Sequence, residues 1–132
     1  EGNIWSLDRF PGADAVEEGT RANIGVSWTR YDPAGWSLGL TIGMEINALV
    51  KSSSVLLLDD PNVRTSARNQ LWGEITRIHD GPVNAEVTLA LKSGKSVCAV
   101  VTHDSVERLG LAVGGQACAV FKASAVILCK YA

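Results

Sequence analysis

The chain has 132 residues, 46% of them hydrophobic and 20% charged, a composition that supplies a core and excludes a disordered tail. The formal net charge is −2, yet residues 1–61 hold four basic and nine acidic side chains while residues 62–132 hold eight and five. An anion is therefore expected on the second half, and the acidic first half argues against a general nucleic-acid surface. No apolar run approaches the roughly 20 residues that cross a bilayer, and the opening is polar, so neither a membrane span nor a signal peptide is read. The first residue is Glu1 rather than Met, which points to a processed chain or a fragment of a longer one.

Taken in order, the chain reads as one unit written twice. Sliding it on itself by 71 places pairs Gly2 with Gly73, Ile4 with Ile75, Val16 with Val87, Gly43 with Gly114, Ala48 with Ala119, Lys51 with Lys122, Ser53 with Ser124, Val55 with Val126 and Leu57 with Leu128. The segment "LGL" recurs at 38–40 and 109–111 in the same register. In the first copy the clearest stretch is "WSLGLTIGMEINALVKSSSVLLL" at 36–58, followed by a Pro-containing link, "DDPNV", at 59–63. The polar run "TSARNQLWG" at 65–73 then leads into "LWGEITRI" at 71–78, a strand. "VNAEVTLAL" at 83–91 alternates, with Val83, Ala85, Val87, Leu89 and Leu91 on one face and Asn84, Glu86 and Thr88 on the other, the period of a half-buried strand. "KSGKS" at 92–96 is a Gly-centred turn and "VCAVVT" at 97–102 a second strand, so the two should form a hairpin. In "THDSVERLGL" at 102–111, Thr102 or Asp104 serves as helix cap, Glu107 follows Asp104 at capping-box spacing, and Gly110 suits the stop. "QACAVFK" and "AVILC" are further strands.

Catalytic and metal chemistry find no support in this pattern. Cys98, Cys118 and Cys129 lie in apolar strand-like runs without C-x-x-C or C-x-x-H spacing, and read as buried small hydrophobes. His79 and His103 lack Cys or carboxylate partners at metal-ligand spacing, and His103 beside Asp104 reads as a helix start rather than half of a dyad. "SGKS" at 93–96 has no Gly five residues before Gly94, so it is a hairpin and not a phosphate loop. Four Trp on a small barrel invite comparison with single-strand nucleic-acid binders, but no continuous basic and aromatic stripe accompanies them.

Five short, mostly antiparallel strands per copy cannot cover both faces of an open sheet, and closure into a small barrel resolves this. The expected fold is all-β: two tandem OB-like five-stranded antiparallel barrels, each with a short helix, spanning 1–61 and 62–132. Units of about 60 residues are marginal alone, so the copies should pack on each other or on further chains.

At "SARNQLWGEI", "GPVNAEVTLAL", "VVTHDSVERLGL" and "FKASAVIL", in that order and spacing, the sequence resembles the Mop (TOBE) domain over residues 66–128, with the first copy a divergent unit. Such units occur in tandem in the C-terminal half of ModE-type molybdate-responsive regulators and in free-standing molybdate-binding proteins of the ModG type. They also end some transporter ATPases. The resemblance implies an OB-like barrel and a non-enzymatic site for molybdate or tungstate, at a junction between units or subunits. Carried over by position, it assigns the oxyanion to Ser66, Ala67, Arg68 and Asn69, to Lys122, Ala123 and Ser124, to their first-copy counterparts Lys51, Ser52 and Ser53, and to the hydroxyl of Thr102. Tyr31 takes the place of Thr102 in the first copy, and no "SARN" precedes that copy.

The chemistry of the residues agrees. A tetrahedral dianion needs several donors converging on four oxygens, and Arg, Lys, hydroxyls and amides bring no competing negative charge. No resident metal is expected, only metal as oxyanion. The implied setting is a cytoplasmic homo-oligomer, a dimer for a regulator fragment with a trimer as the other form. Membrane contact is not expected, and DNA would be reached only through an upstream domain outside this segment. The alternatives are a storage protein and the tail of a transporter ATPase.

Overall fold

The computed structural model describes residues 2–7 and 46–129, with side chains from 48 to 127. Eight strands and one helix are present among them: β1 (Gly2–Leu7), β2 (Ile46–Lys51), β3 (Leu56–Leu58), β4 (Asn69–Asp80), β5 (Asn84–Leu91), β6 (Ser96–Thr102), α1 (His103–Leu109), β7 (Gln116–Phe121) and β8 (Ile127–Cys129). Two single-turn 3-10 helices, Ser52–Ser54 and Ala123–Ala125, follow β2 and β7. The first-copy "LGL", Tyr31 and the rest of 8–45 lie outside the described residues, as does the Cys129 side chain.

The fold is all-β and antiparallel with one short helix. Five strands form one sheet in the order β3-β7-β4-β5-β6, and β1-β2-β8 form a second. The edge strands of the larger sheet, β3 and β6, come into contact, so the sheet curls until its inner face encloses a core. That core holds Leu71, Ile75, Val87, Leu89, Val97, Ala99, Ala119 and Phe121, together with Val50, Val55 and Leu57 from the first copy.

Alternation explains the inner face. Ala85, Val87, Leu89 and Leu91 of β5 are buried, as are Asn69, Leu71, Gly73 and Ile75 of β4. Val83 departs from its expected place: it precedes β5, is 70% exposed, and its carbonyl accepts from the His103 N–H at 3.1 Å. Its backbone is used to hold the start of α1 instead of its side chain filling the core. A bulge between Ile75 and Arg77 bends β4. There Ile75 exchanges hydrogen bonds with the Gly114–Gly115 turn, its N–H donating to the Gly115 carbonyl and its own carbonyl accepting from Gly114, both at 2.8 Å. Gly114 adopts φ 92, the left-handed region that a side chain would strain.

Thr102 caps α1, its hydroxyl accepting from the Ser105 N–H at 3.1 Å, and Gly110 ends the helix in the left-handed region. Asp104 is therefore inside the helix. Glu107 does not complete a capping box; it lies 3.6 Å from His103 Nε2, whose Nδ1 is 3.3 Å from Asp80. His103 thus begins the helix as expected. The 92–95 segment is the hairpin turn, with Gly94 at φ 86 and its N–H donating to the Leu91 carbonyl at 3.0 Å.

The duplication is visible in the backbone. The Lys51 and Lys122 turns share nearly the same dihedral angles, φ −61 and ψ 135 at Lys51 against φ −70 and ψ 144 at Lys122. Strand pairing crosses the junction after residue 61 in both directions. First-copy β3 pairs with β7, with Leu57 opposite Ala119; second-copy β8 pairs with β2, with Leu128 opposite Ala48. These are one pairing with the copies interchanged, so each copy gives its last strand to the other.

Strand β7 is consequently buried on both faces. Ala117, Ala119 and Phe121 enter the main core, while Cys118 and Val120 pack with Ala67 and Leu58 in a second cluster. Burial pushes the Cys118 thiol above its ordinary pKa, opposed in part by a backbone hydrogen bond with Leu71. Cys98 is only partly buried.

A close approach across the sheet gives a test of this packing. A Cβ placed on Gly73 would lie 2.6 Å from the Ala90 carbonyl oxygen of β5, a backbone atom that moves only with its strand. Gly73→Ala is expected to destabilise the chain by about 1–3 kcal/mol through overpacking, read as a lower urea midpoint. An unchanged midpoint would mean that β4 and β5 do not meet in this register.

Candidate oxyanion site

The polar run before β4 is shaped by its own side chains. The chain bends at Ser66 and Arg68. Between those bends Ala67 is held on both sides: its N–H donates to the Thr65 hydroxyl at 3.2 Å, and its carbonyl accepts from Gln70 Nε2 at 3.0 Å. Ala67 is buried in the second cluster. With it anchored, Ser66 and Arg68 are exposed and Asn69 turns into the main sheet. Thr65 and Gln70 were not singled out by sequence reasoning. The available signal was a hydroxyl two residues before an amide, a common local turn pattern.

The two lysine turns present the same alternation. Lys122 and Ser124 are exposed around a buried Ala123, and Lys51 and Ser53 are exposed around a buried Ser52. The turns are closed by the Val126 N–H donating to the Ala123 carbonyl at 3.2 Å and the Val55 N–H to the Ser52 carbonyl at 3.3 Å. The first N–H groups of such a turn have no partner within it.

Sheet register brings these segments together. Asn69 pairs with Phe121, so Arg68 and Lys122 are the next residues out along β4 and β7. On the other side of β7, Leu56 pairs with Val120, so the Lys51 turn feeds β3 at the same end. The C-terminal end of β7 thus gathers Ser66–Asn69 and Lys122–Ser124, while the Ser52–Ser54 turn lies in contact with β6 and β1. The ion pairs of His103 with Asp80 and Glu107 and of Arg108 with Asp104 lie elsewhere, and Arg68, Lys51 and Lys122 have no ion pair among the described residues. Beneath them Asn69 and Ser52 are 0% and 1% exposed, and Ser52 Oγ and both polar atoms of the Asn69 carboxamide have no hydrogen-bond partner among the described residues.

Thr102 stands apart. It pairs with Asn84, beside the Asp80 end of β4 and away from its Asn69 end. Its hydroxyl caps α1 and lies 2.7 Å from Ser105 Oγ. Sheet register does not bring it to the Arg68 segment. No group of three or more His, Cys, Asp or Glu that could hold a metal ion occurs among the described residues.

An all-β module with duplicated cationic turns around an exchanged strand is the class of protein defined by this fold, and the TOBE domain family matches residues 65–128. Molybdenum transport protein ModE of Azotobacter vinelandii is 62% identical over 95 residues, which cover 72% of this chain and 35% of that protein. Molybdenum-pterin-binding protein 1 of Clostridium pasteurianum is 38% identical over 63 residues, 48% of this chain and 93% of that protein. The cytoplasmic molybdate-binding protein ModG, in a crystal structure with molybdate bound, superimposes with a TM-score of 0.68 at 46% identity, covering 78% of this chain and 70% of that one. The chain belongs to the Mop/TOBE family of molybdenum-pterin-binding domains. It spans about a third of the length of the ModE relative.

A second family, LPS transport system D, matches residues 1–76. That segment carries the first copy of the repeat, and a 95-residue ModE alignment is too long to lie wholly beyond residue 76. The Mop family therefore accounts for sequence within the same stretch. No helix of the described residues is long and apolar enough to cross a membrane.

The Cys118 environment yields a chemical prediction. Because the thiol rather than the reactive thiolate is favoured there, Cys118 should resist iodoacetamide near neutral pH in the folded chain and react once urea unfolds it. Rapid modification of Cys118 in the native protein, located by peptide mass, would contradict the double-sided burial of β7.

Proposed function

We propose that this chain binds molybdate or tungstate through the donors gathered at the end of β7, as a cytoplasmic, non-enzymatic tandem of two Mop units with boundaries near 1–61 and 62–132. The observation that carries the proposal is the placement of Arg68 beside the Lys122 turn at the end of β7, neither with a carboxylate partner among the described residues. A dianion supplies the missing charge, and hydroxyls with turn N–H groups supply further donors. The extent of identity to ModE supports the effector-binding part of a ModE-like regulator. The ModG superposition, over most of that protein's length, supports the alternative of a free-standing binder; a transporter ATPase tail is the third form of the same site. Thr102, which register leaves away from Arg68, is proposed to reach an oxyanion only across an interface, in a homodimer or trimer.

Arg68→Ala removes a charge-assisted donor, for which about 1.5–3 kcal/mol is the scale, or roughly ten- to more than a hundredfold in molybdate affinity. Lys122→Ala should weaken binding more than Lys51→Ala if second-copy segments form the site, and less if the first-copy turn of another chain completes it. Calorimetric titration of the three variants decides the arrangement, and undiminished binding by all of them contradicts the site.

Selectivity separates this site from a basic patch. Hydrogen phosphate carries a proton that needs an acceptor, and burying it against donors costs about 1–3 kcal/mol. Sulfate matches in charge, but its shorter bonds leave a rigid donor cage stretched. Thermal melts at matched ionic strength should show similar, large upward shifts with molybdate and tungstate and small ones with sulfate and phosphate. Equal shifts with sulfate and molybdate would leave the fold assignment standing and remove the function.

A further inference from the structure

Residues 59–68 join β3 to β4, and those two strands lie on opposite sides of β7. Leu58, where β3 ends, is opposite Cys118, and Asn69, where β4 begins, is opposite Phe121. The connection must therefore cross β7. It crosses on the face away from the main core, where Ala67 packs on Cys118 and Val120 with Leu58 against the same cluster, while Ala117, Ala119 and Phe121 enter the core. Segment 59–68 is thus a strap over the outer face of β7, and Cys118, 1% exposed, lies beneath it. Passing from one neighbour of β7 to the other spans about 10 Å, whereas a segment of this length reaches about 33 Å when extended. The strap has slack.

Little holds it down. Residues 59–66 and Arg68 are exposed, and Ala67 is the buried side chain of the strap. Its side-chain hydrogen bonds are local: Asp60 Oδ1 accepts from the Asn62 N–H at 2.8 Å and from Asn62 Nδ2 at 3.0 Å, and Ala67 is bonded to Thr65 and Gln70. None of these reaches β7. Segments with so few buried apolar contacts open locally at a fraction of the cost of global unfolding. At the strap's end, the Asn69–Phe121 pair sets Arg68 beside Lys122, the residue that follows β7. Two like charges there favour lifting, and a dianion between them reverses the sign. We infer that the strap lifts from β7 in the ligand-free chain and that a bound oxyanion, held by Arg68 on the strap and by the Lys122 turn on β7, clamps it down. The clamp rests on the oxyanion reading and adds a regulatory consequence to it. Because Leu58 of first-copy β3 shares the cluster under the strap, filling the site also tightens the junction between the two copies.

Cys118 reports the opening. The chain is incubated with excess disulfide reagent under native conditions, and slow modification is followed at each cysteine by peptide mass, with Cys98, half-buried on β6, as internal comparison. If the closed strap alone binds, the Cys118 rate falls by a factor of 1 + [L]/Kd, roughly a hundredfold with molybdate at a hundredfold over its Kd. The Cys98 rate should not change. Without ligand, the Cys118 rate should rise only weakly with urea, since lifting a strap exposes little surface compared with global unfolding. Thr65→Val removes the exposed hydroxyl that holds the Ala67 N–H, and should speed ligand-free modification of Cys118 about fivefold. Equal Cys118 rates with and without bound molybdate overturn the clamp, as does equal slowing of Cys98 and Cys118. Modification of Cys118 only through global unfolding, with its steep urea dependence, overturns the lifting strap, and so does an unchanged rate in Thr65→Val. Calorimetric titration runs alongside: absence of molybdate binding removes the oxyanion reading itself, whereas binding without protection of Cys118 removes the clamp alone.

Discussion

The reciprocal exchange of β3 and β8 is the constraint on which the remaining structure depends. Because β3 comes from the first copy and pairs with β7 of the second, β7 has a neighbour on each side and apolar contacts on both faces. A strand fixed in this way has little freedom to slide, since a slip of one residue would carry Phe121 out of the main core and Cys118 into it. The exchange also means that neither half of the sequence completes its own sheet. The core of the second copy's sheet is therefore completed partly by a first-copy residue, Leu57.

Function follows from where the fixed strand ends. Phe121 is the last residue of β7, and the segments paired on each side lead outward into Arg68 and the Lys51 turn. Two short loops that are far apart in sequence, Ser66–Asn69 and Lys122–Ser124, are brought to one end of the sheet because the strands beneath them are in register. Positive charge can accumulate at that end because the acidic side chains that form ion pairs among the described residues, Asp80, Asp104 and Glu107, are engaged around α1 at the other end of β4. Fold and electrostatics are thus separated along the strands, with helix capping at one end and the Arg68 and Lys122 cations at the other.

Much of this was legible in the sequence, for identifiable physical reasons. The period of two over 85–91 directly reported which face of β5 is covered. The 71-residue offset foretold that two lysine turns would share one backbone shape, because equal sequence at equal strand ends gives equal turns. Gly94 and Gly110 stood where left-handed backbone was required. Exchange of the last strands was not legible, since β3 and β8 carry the same apolar pattern and either would fit either sheet. Nor could alternation show that Val83 stops short of β5, because the backbone of that residue is claimed by α1. The proposed site residues come from the resemblance, but which of them are exposed and which buried required the fold: "SARN" and "KSS" do not say which side chain turns inward. Thr102 shows the opposite case, a hydroxyl whose capping role was readable and whose distance from the Arg68 segment was not.

The most direct test of the account is the position of molybdenum itself. Crystals of this chain grown with molybdate, measured above and below the molybdenum absorption edge, give an anomalous difference map that locates the metal independently of any assumption about ligands. The account predicts a peak at the C-terminal end of β7, bounded by the Arg68 segment and the Lys122 turn. A peak confined to the α1 end of β4, or an occupied site lacking both Arg68 and a lysine turn, would contradict it.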